Sequence, residues 1–223
     1  MTKKILITGA NGQLGHEMRN ALKGNSRFEC IFTDVAELDI CNAEAVKQTI
    51  ADNHIDYIVN CAAYTQVDKA EDNTELCKKI NTDAVENLAR AAADYGARMI
   101  HISTDYVFNG RGYRPYTEDM VPDPQSVYGS TKLEGEKILT DICPESIIIR
   151  TAWLYSPYGN NFVKTMLHLG EEREELSVVA DQIGTPTCAA DLAQAILVIL
   201  QADTFVPGTY HFSDEGVCSW YDF

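Results

Sequence analysis

Two side chains that could transfer protons stand four positions apart, in the run Tyr128-Gly129-Ser130-Thr131-Lys132. Residues with this spacing lie one turn apart on the same face of a helix. A free phenol has a pKa near about 10, and a neighbouring ammonium favours the phenolate and lowers that pKa. The pair therefore predicts a tyrosine that donates a proton, assisted by a lysine. The spacing alone also fits a surface tyrosine and lysine without a catalytic role.

A glycine-rich turn, Gly9-Ala10-Asn11-Gly12-Gln13-Leu14-Gly15, connects a predicted strand at 5–8 to a predicted helix at 15–23. Glycines allow a sharp turn and close approach of the backbone to a pyrophosphate, and the helix N-terminus supplies N–H donors. The strand before the turn and the helix after it are the context that this motif requires. We therefore expect a dinucleotide cofactor to contact Gly9, Asn11, Gly12 and Gly15. The alternative is a packing turn without a ligand.

An acidic residue, Asp34, ends the second predicted strand, at 28–34. A carboxylate at this position can bind the ribose hydroxyls of adenosine, and it repels a 2′-phosphate. Asp34 therefore slightly favours NADH as the cofactor, although NADPH stays open.

Polar and small residues follow two further predicted strands, at 57–60 and 99–103. Ligands of an open parallel sheet bind at the carboxyl ends of its strands. We therefore expect the hydroxyl of Thr104 to point into the cofactor cleft. The small residues Ala62 and Ala63 would let the cofactor lie close to the backbone. The five histidines show no metal-ligand spacing, and we expect them to be structural.

The elements that must position these residues alternate between strand-like and helical patterns along the chain. Further strands are predicted at 146–150, 176–179 and 209–213, and further helices at 43–53, 83–95, 127–140, 161–174 and 189–202. Such alternation predicts an α/β fold with a Rossmann-like, doubly wound parallel sheet. We expect an NAD(P)-binding domain, formed by residues 1–150 and about 176–203, and a smaller substrate-binding α/β part, formed by residues 151–175 and 204–223. Since Ser219 and its successors look like a helix cap and first turn, we expect a C-terminally truncated substrate-binding part that continues beyond residue 223.

The composition excludes several classes of protein. The chain has 223 residues, with 18 Lys and Arg against 33 Asp and Glu, a net charge of −15. It lacks the basic surface that nucleic acids and anionic membranes attract, so we expect neither as a partner. No apolar run approaches the roughly 18 residues of a membrane helix. The seven scattered cysteines, without a Cys-x-x-Cys pair, predict reduced thiols and a cytoplasmic protein.

Several longer runs resemble the dTDP-4-dehydrorhamnose reductases, a family of extended short-chain dehydrogenase/reductases. The resemblance extends from Lys4 to Phe223. The runs that carry it are Val67-Asp68-x-Ala70-Glu71, Ser103-Thr104-Asp105-Tyr106-Val107-Phe108, Val127-Tyr128-Gly129-x-Thr131-Lys132-Leu133-x-Gly135-Glu136, Arg150-Thr151-x-Trp153, Gly159-Asn160-Asn161-Phe162 and Asp181-Gln182-x-Gly184-x-Pro186-Thr187.

The resemblance implies reduction of the C4 keto group of a dTDP-sugar by NADH or NADPH. Tyr128 would donate the proton, Lys132 would hold the nicotinamide ribose, and Thr104 would bind the carbonyl oxygen. Three further residues match sugar contacts: Val67, Asp105 and Trp153. Nine residues match cofactor contacts: Gly12, Gln13, Leu14, Asp34, Asp39, Ile40, Ala63, Tyr64 and Thr65.

The chain departs from the family at a metal site. Some members dimerise through a magnesium ion bound by glutamates, and Ala190 stands at one of those positions. We therefore expect no metal, and either a monomer or a homodimer.

Two other functions remain open at this point. One is a sugar-nucleotide epimerase, and the other is a non-catalytic dinucleotide-binding subunit, like the regulatory β-subunit of methionine adenosyltransferase. The presence of both Tyr128 and Lys132 argues against the second. Sugar-nucleotide dehydratases carry Thr-Asp-Glu, whereas Tyr106 follows Thr104-Asp105 here, so dehydration is disfavoured.

Overall fold

Strands and helices alternate through residues 2–223, the part of the chain that the computed structural model describes. The strands are β1 (Lys3–Thr8), β2 (Phe28–Phe32), β3 (Tyr57–Asn60), β4 (Arg98–Thr104), β5 (Ile147–Thr151), β6 (Leu154–Tyr155), β7 (Ile183–Gly184), β8 (Thr187–Cys188), β9 (Gly208–His211) and β10 (Cys218–Ser219). The α-helices are α1 (Gln13–Ala21), α2 (Ala43–Asn53), α3 (Val67–Asp72), α4 (Thr74–Lys78), α5 (Ala84–Tyr95), α6 (Val127–Ile142), α7 (Phe162–Glu172) and α8 (Ala189–Gln201). A π-helical turn (Lys79–Asp83) precedes α5, and a 3-10 turn (Asp105–Val107) follows β4.

One parallel sheet of six strands organises the molecule, in the order β2-β1-β3-β4-β5-β9. The predicted Rossmann-like α/β fold is confirmed. The strand order reverses at β1, so the chains that leave β1 and β3 lead to helices on opposite faces of the sheet. This is the topological switch point, where such sheets bind their ligands.

Each face of the sheet is covered by helices whose apolar stripes follow the helical period. On one face, Val85, Leu88 and Ala92 of α5 pack with α2 and α6 against the strands. On the other face, Met18 of α1 and Ile196 of α8 pack with Ile7 and its neighbours. Burial of these apolar side chains, at about 25 cal/mol per Å², is the main force that closes the two layers onto the sheet.

The strand predicted at 176–179 is wrong. These residues belong to no strand, and Val179 is half exposed. The edge of β5 where a further strand could pair is occupied by β9, which matches the strand predicted at 209–213. The sheet thus includes residues that the predicted division assigns to the substrate-binding part, and the division itself stays a prediction. Among the described residues, no helix has the length and apolarity needed to cross a bilayer.

A buried ion pair joins α6 to β5. Nη2 of Arg150 lies 2.6 Å from Oε2 of Glu136, and Nε lies 3.0 Å from Oε1. Both side chains are more than nine-tenths buried. Removal of one member of such a pair leaves an uncompensated buried charge.

We therefore expect Glu136→Gln to lower the free energy of unfolding by about 3–5 kcal/mol, measured by urea denaturation. Glu134→Gln is the matched control on the same helix. Its half-exposed side chain lies 4.0 Å from Lys78, so the loss should stay within about 0.5 kcal/mol. Equal effects of the two substitutions would show that the buried pair does not hold α6 in place.

Candidate active site

The glycine turn follows β1 at the switch point, where two backbones come very close. Gly9 has a φ of +63°, and a Cβ on it would lie 2.7 Å from Cα of Ala62, the second residue after β3. A Cβ on Gly15 would overlap the carbonyl oxygen of Gly9. Only glycine fits at these two positions, and the turn leaves the first N–H groups of α1 free to bind an anion.

A cleft of about 570 Å³ opens beside this turn. The predicted cofactor contacts that line it are Gly9, Asn11, Gly12, Asp34, Asp39, Ile40, Ala62 and Ala63. No sequence motif predicted the other lining residues, which are Val35, Leu38, Cys41, Cys61, Leu76, Lys79 and Ile80. The residues present fit a dinucleotide, because the cleft combines free backbone donors with an apolar wall long enough for a flat ring system.

The carboxylate of Asp34 stands at the rim of this cleft. Its Oδ2 accepts from N–H of Asn11 at 2.9 Å, and its Oδ1 accepts from N–H of Val35 at 2.8 Å. These bonds fix the negative charge beside the glycine turn, as the predicted role of Asp34 requires.

Five predicted cofactor contacts outside α6 do not line this cleft. Gly15 is buried against the backbone of Gly9. Gln13 bonds instead to the carbonyl of Leu154, and its Oε1 accepts from Nδ2 of Asn161 at 2.9 Å. Leu14 is buried in the apolar layer beside α8. Tyr64 packs near Tyr128, and Thr65 is exposed. Their cofactor roles stay predictions.

The candidate proton donor, Tyr128, lies in the first turn of α6, which Ser126 caps by accepting from N–H of Gly129 at 3.1 Å. Its ring packs among Ala70 and Cys77. Burial raises the pKa of Tyr128 well above its ordinary value, and hydrogen bonding to the Thr104 side chain opposes this only in part. The phenol is therefore protonated at neutral pH.

Lys132, one turn further along α6, is only 1% exposed. Its Nζ donates to the carbonyl of Ile102 at 2.7 Å and lies 3.2 Å from Nε2 of His101. Burial lowers the pKa of Lys132 to about 8. Because the amine is turned toward β4 and burial dominates the pKa of the phenol, the lowering of that pKa by Lys132 stays a prediction.

Thr104 and Asp105 stand where β4 ends. The hydroxyl of Thr104 donates to Oδ1 of Asp105 at 3.1 Å and accepts from N–H of Tyr106 at 3.2 Å, which caps the 3-10 turn. Burial raises the pKa of Asp105 to about 6. The structure thus brings Thr104, Asp105, Tyr128 and Lys132 together at the end of β4.

The other two predicted sugar contacts lie on different elements. Val67 begins α3 and belongs to the apolar cluster around Tyr128. Trp153 follows β5 and stacks on Trp220, with ring centroids 3.6 Å apart. Its φ of +47° is rare for a bulky residue, and such backbone strain concentrates at functional positions.

The parallel sheet, the glycine turn and the Tyr-x-x-x-Lys helix define a Rossmann-like protein of the short-chain dehydrogenase/reductase type. The chain belongs to the family described as RmlD substrate binding domain, whose model matches residues 3–223. The resemblance found in the sequence is confirmed.

Named relatives agree with this assignment. A dTDP-4-dehydrorhamnose reductase of Escherichia coli is 46% identical, over 98% of this chain and 75% of the relative. The crystal structure of a dTDP-4-dehydrorhamnose reductase from Clostridium acetobutylicum is 51% identical with a TM-score of 0.94, over 98% of this chain and 77% of that one. A reductase of the same name from Bacillus anthracis, solved in complex with NADP, is 44% identical with a TM-score of 0.95, over 100% and 78%.

The environment of Asp105 predicts a pH-dependent cost in stability. An aspartate has a pKa near about 3.9 when unfolded, so the folded state binds more protons between pH 4 and pH 6. Wild-type stability therefore falls as the pH rises through this window. The free energy of unfolding of Asp105→Asn, relative to that of wild type, should increase by about 2 kcal/mol from pH 4 to pH 7.5. This is less than the roughly 3 kcal/mol of a two-unit pKa shift, because the carboxyl is partly exposed.

Urea denaturation at both pH values measures this difference. Asp203→Asn, at an exposed position, is the control and should show no such growth. A constant difference between Asp105→Asn and wild type would contradict the raised pKa of Asp105.

Proposed function

We propose that this protein reduces the C4 keto group of dTDP-4-dehydro-6-deoxy-L-mannose (dTDP-4-dehydrorhamnose) with NADPH or NADH, giving dTDP-L-rhamnose. The proposal rests on one observation above all, the grouping of Thr104, Tyr128 and Lys132 at the carboxyl end of β4, on the same edge of the parallel sheet as the cleft. Family membership supports the choice of substrate, since close relatives bear the name dTDP-4-dehydrorhamnose reductase.

The protein contributes proton transfer and positioning. When bound, the reduced nicotinamide supplies a hydride. Thr104 binds the carbonyl oxygen, and the protonated phenol of Tyr128 donates its proton to that oxygen as negative charge develops. Lys132 holds the nicotinamide ribose. Its ammonium form, populated below the pKa of about 8, also compensates the phenolate that would otherwise be left buried.

The sugar contacts follow from the same arrangement. Once the hydroxyl of Thr104 turns from Asp105 to the carbonyl oxygen, the carboxylate of Asp105 can accept from a sugar hydroxyl. Val67 adds an apolar contact beside Tyr128. Trp153, whose ring stacks on Trp220, would add an aromatic contact to the sugar.

Replacement of the proton donor tests the proposal directly. Tyr128→Phe should lower sugar-dependent NADPH oxidation by about 10²- to 10⁴-fold, because the general acid is lost. The assay follows nicotinamide absorbance with enzymatically generated dTDP-4-dehydrorhamnose. Binding of NADPH, followed by its fluorescence, should be retained.

Tyr113→Phe is the control, since the side chain of Tyr113 is 89% exposed. A Tyr128→Phe rate within tenfold of wild type would refute the assigned role. A wild-type protein that binds the dinucleotide without turnover would indicate a binding subunit. Tightly retained nicotinamide that undergoes no net oxidation would indicate an epimerase.

The cofactor preference follows from the charge on Asp34. We propose that both cofactors are used, with NADH slightly preferred. The NADP complex of the Bacillus anthracis relative supports use of the phosphorylated form in this family.

Asp34→Asn should raise the ratio of kcat/KM for NADPH to that for NADH by about fivefold. A repulsion between unit charges about 4 Å apart in water is worth about 1 kcal/mol, and the substitution removes it. Asp52→Asn makes the same change in net charge on α2 and should leave the ratio unchanged. A ratio that does not rise in Asp34→Asn would remove the basis for the NADH preference.

Location and assembly are narrower proposals. We propose a cytoplasmic protein, which the seven free cysteines support, because reduced thiols persist in that compartment. We also propose a monomer or a homodimer without a bridging metal, since Ala190 offers no ligand.

A further inference from the structure

One buried histidine has no part in the chemistry proposed above. His101 lies on β4, fully buried, with its imidazole between β3 and α6. Thr8, Asn60 and His101 are register partners on the adjacent strands β1, β3 and β4. Their side chains therefore project from the same face of the sheet and form a line that ends at Lys132.

The first half of this line fixes the orientation of an amide. Oδ1 of Asn60 accepts from N–H of Ala62 at 3.2 Å and from the hydroxyl of Thr8 at 2.7 Å. A backbone N–H can only donate, so the amide oxygen must face Ala62. The amide nitrogen of Asn60 therefore points toward Nδ1 of His101, 3.0 Å away.

The second half of the line, from His101 to Lys132, depends on the tautomer of His101 that this orientation of Asn60 imposes. Nδ1 of His101 accepts from Asn60, so the proton of the neutral imidazole is on Nε2. That Nε2–H faces Nζ of Lys132 at 3.2 Å. An ammonium has three donors and no lone pair, whereas an uncharged amine can accept from Nε2–H and still donate to the carbonyl of Ile102.

We propose that His101 is a positioning residue for Lys132. Its imidazole, oriented by Asn60, donates to the uncharged amine and thereby favours the uncharged, inward-turned form of Lys132 when no cofactor is bound. This inference deepens the proposed function, on which it rests for the role of Lys132 at the nicotinamide ribose.

The other groups that face Lys132 do not cancel the effect of His101 on its charge. The carboxylate of Glu136 on α6 is engaged by Arg150, and Cys77 on α4 shares hydrogen bonds with Asn81 and Thr131. Tyr128 is protonated and uncharged. Burial lowers the pKa of Lys132 to about 8, in the direction that the His101 contact favours.

Cofactor binding should therefore be linked to protonation of Lys132. If Lys132 is charged when it holds the ribose and has a pKa of about 8 without cofactor, the Kd for NADPH should rise about tenfold from pH 7 to pH 9. Below pH 7, the amine is already charged and the Kd should be flat.

Asn60→Asp tests the role of the imidazole. The carboxylate still accepts from Thr8 and Ala62, but it cannot donate to His101. His101 then carries its proton on Nδ1, and its Nε2 accepts from the ammonium of Lys132. If the pKa of Lys132 rises by one unit, the Kd should increase only about twofold between pH 7 and pH 9. The double variant Asn60→Asp/His101→Phe separates the bare charge of the new carboxylate from the effect of the imidazole, and it should recover more than half of the wild-type pH dependence.

Nitrogen-15 NMR of histidine-labelled wild-type protein gives an independent answer that needs no variant. At pH 9, the ring nitrogens of His101 should show Nε2 protonated and Nδ1 unprotonated, and the Nε2 signal should shift near pH 8 as Lys132 becomes charged. A proton on Nδ1 at pH 9, or the same ratio of Kd values in Asn60→Asp and wild type, would overturn the inference. Neither measurement uses the sugar nucleotide, so a failed reductase assay and a failed positioning role are distinguishable.

Discussion

The hydrogen-bonded line from Thr8 through Asn60 and His101 to Lys132 connects the cofactor cleft to the catalytic helix. A buried polar group without a partner costs more than its hydrogen bond contributes, so each member of this line constrains the next. The line crosses β1, β3 and β4 in register. A register shift of any of these strands would leave a buried amide or imidazole without a hydrogen-bond partner. The same shift would move Gly9 away from Ala62. The geometry of the cleft and the position of Lys132 are thus set by one network.

Burial is also what gives the site its unusual proton affinities. The apolar cluster around Tyr128 raises the pKa of its phenol, and the same enclosure lowers the pKa of Lys132. Burial raises the pKa of Asp105 in the same way. A site of this kind is a cost to folding, because each group would be better solvated in water. Ordinary packing elsewhere offsets the cost, in the apolar layers on both faces of the sheet.

The sequence predicted the parts of this arrangement that are local. The turn from Gly9 to Gly15, the pairing of Tyr128 with Lys132, and Thr104 at a strand end all follow from spacing within one or two elements. The role of His101 was missed, because its partners Asn60 and Lys132 are distant in sequence and meet only through strand register. The strand predicted at 176–179 failed for a related reason. Its apolar residues fit a strand, but pairing depends on where the fold places a segment, and the chain brings β9 to the edge of β5 instead.

The raised pKa of Tyr128 suits reduction of a ketone better than oxidation of an alcohol. Oxidation of an alcohol needs a base, and a buried phenol is a poor source of phenolate at neutral pH. Reduction of a ketone needs an acid, and the enclosed phenol of Tyr128 already carries the proton to be donated. Its high pKa weakens the phenol as an acid, but the developing alkoxide is a much stronger base than a phenolate, so the transfer remains downhill. Burial of Tyr128 disfavours its phenolate and thus suits a reductase better than a dehydrogenase. Proton donation then requires the ammonium of Lys132 nearby, to compensate the phenolate that forms.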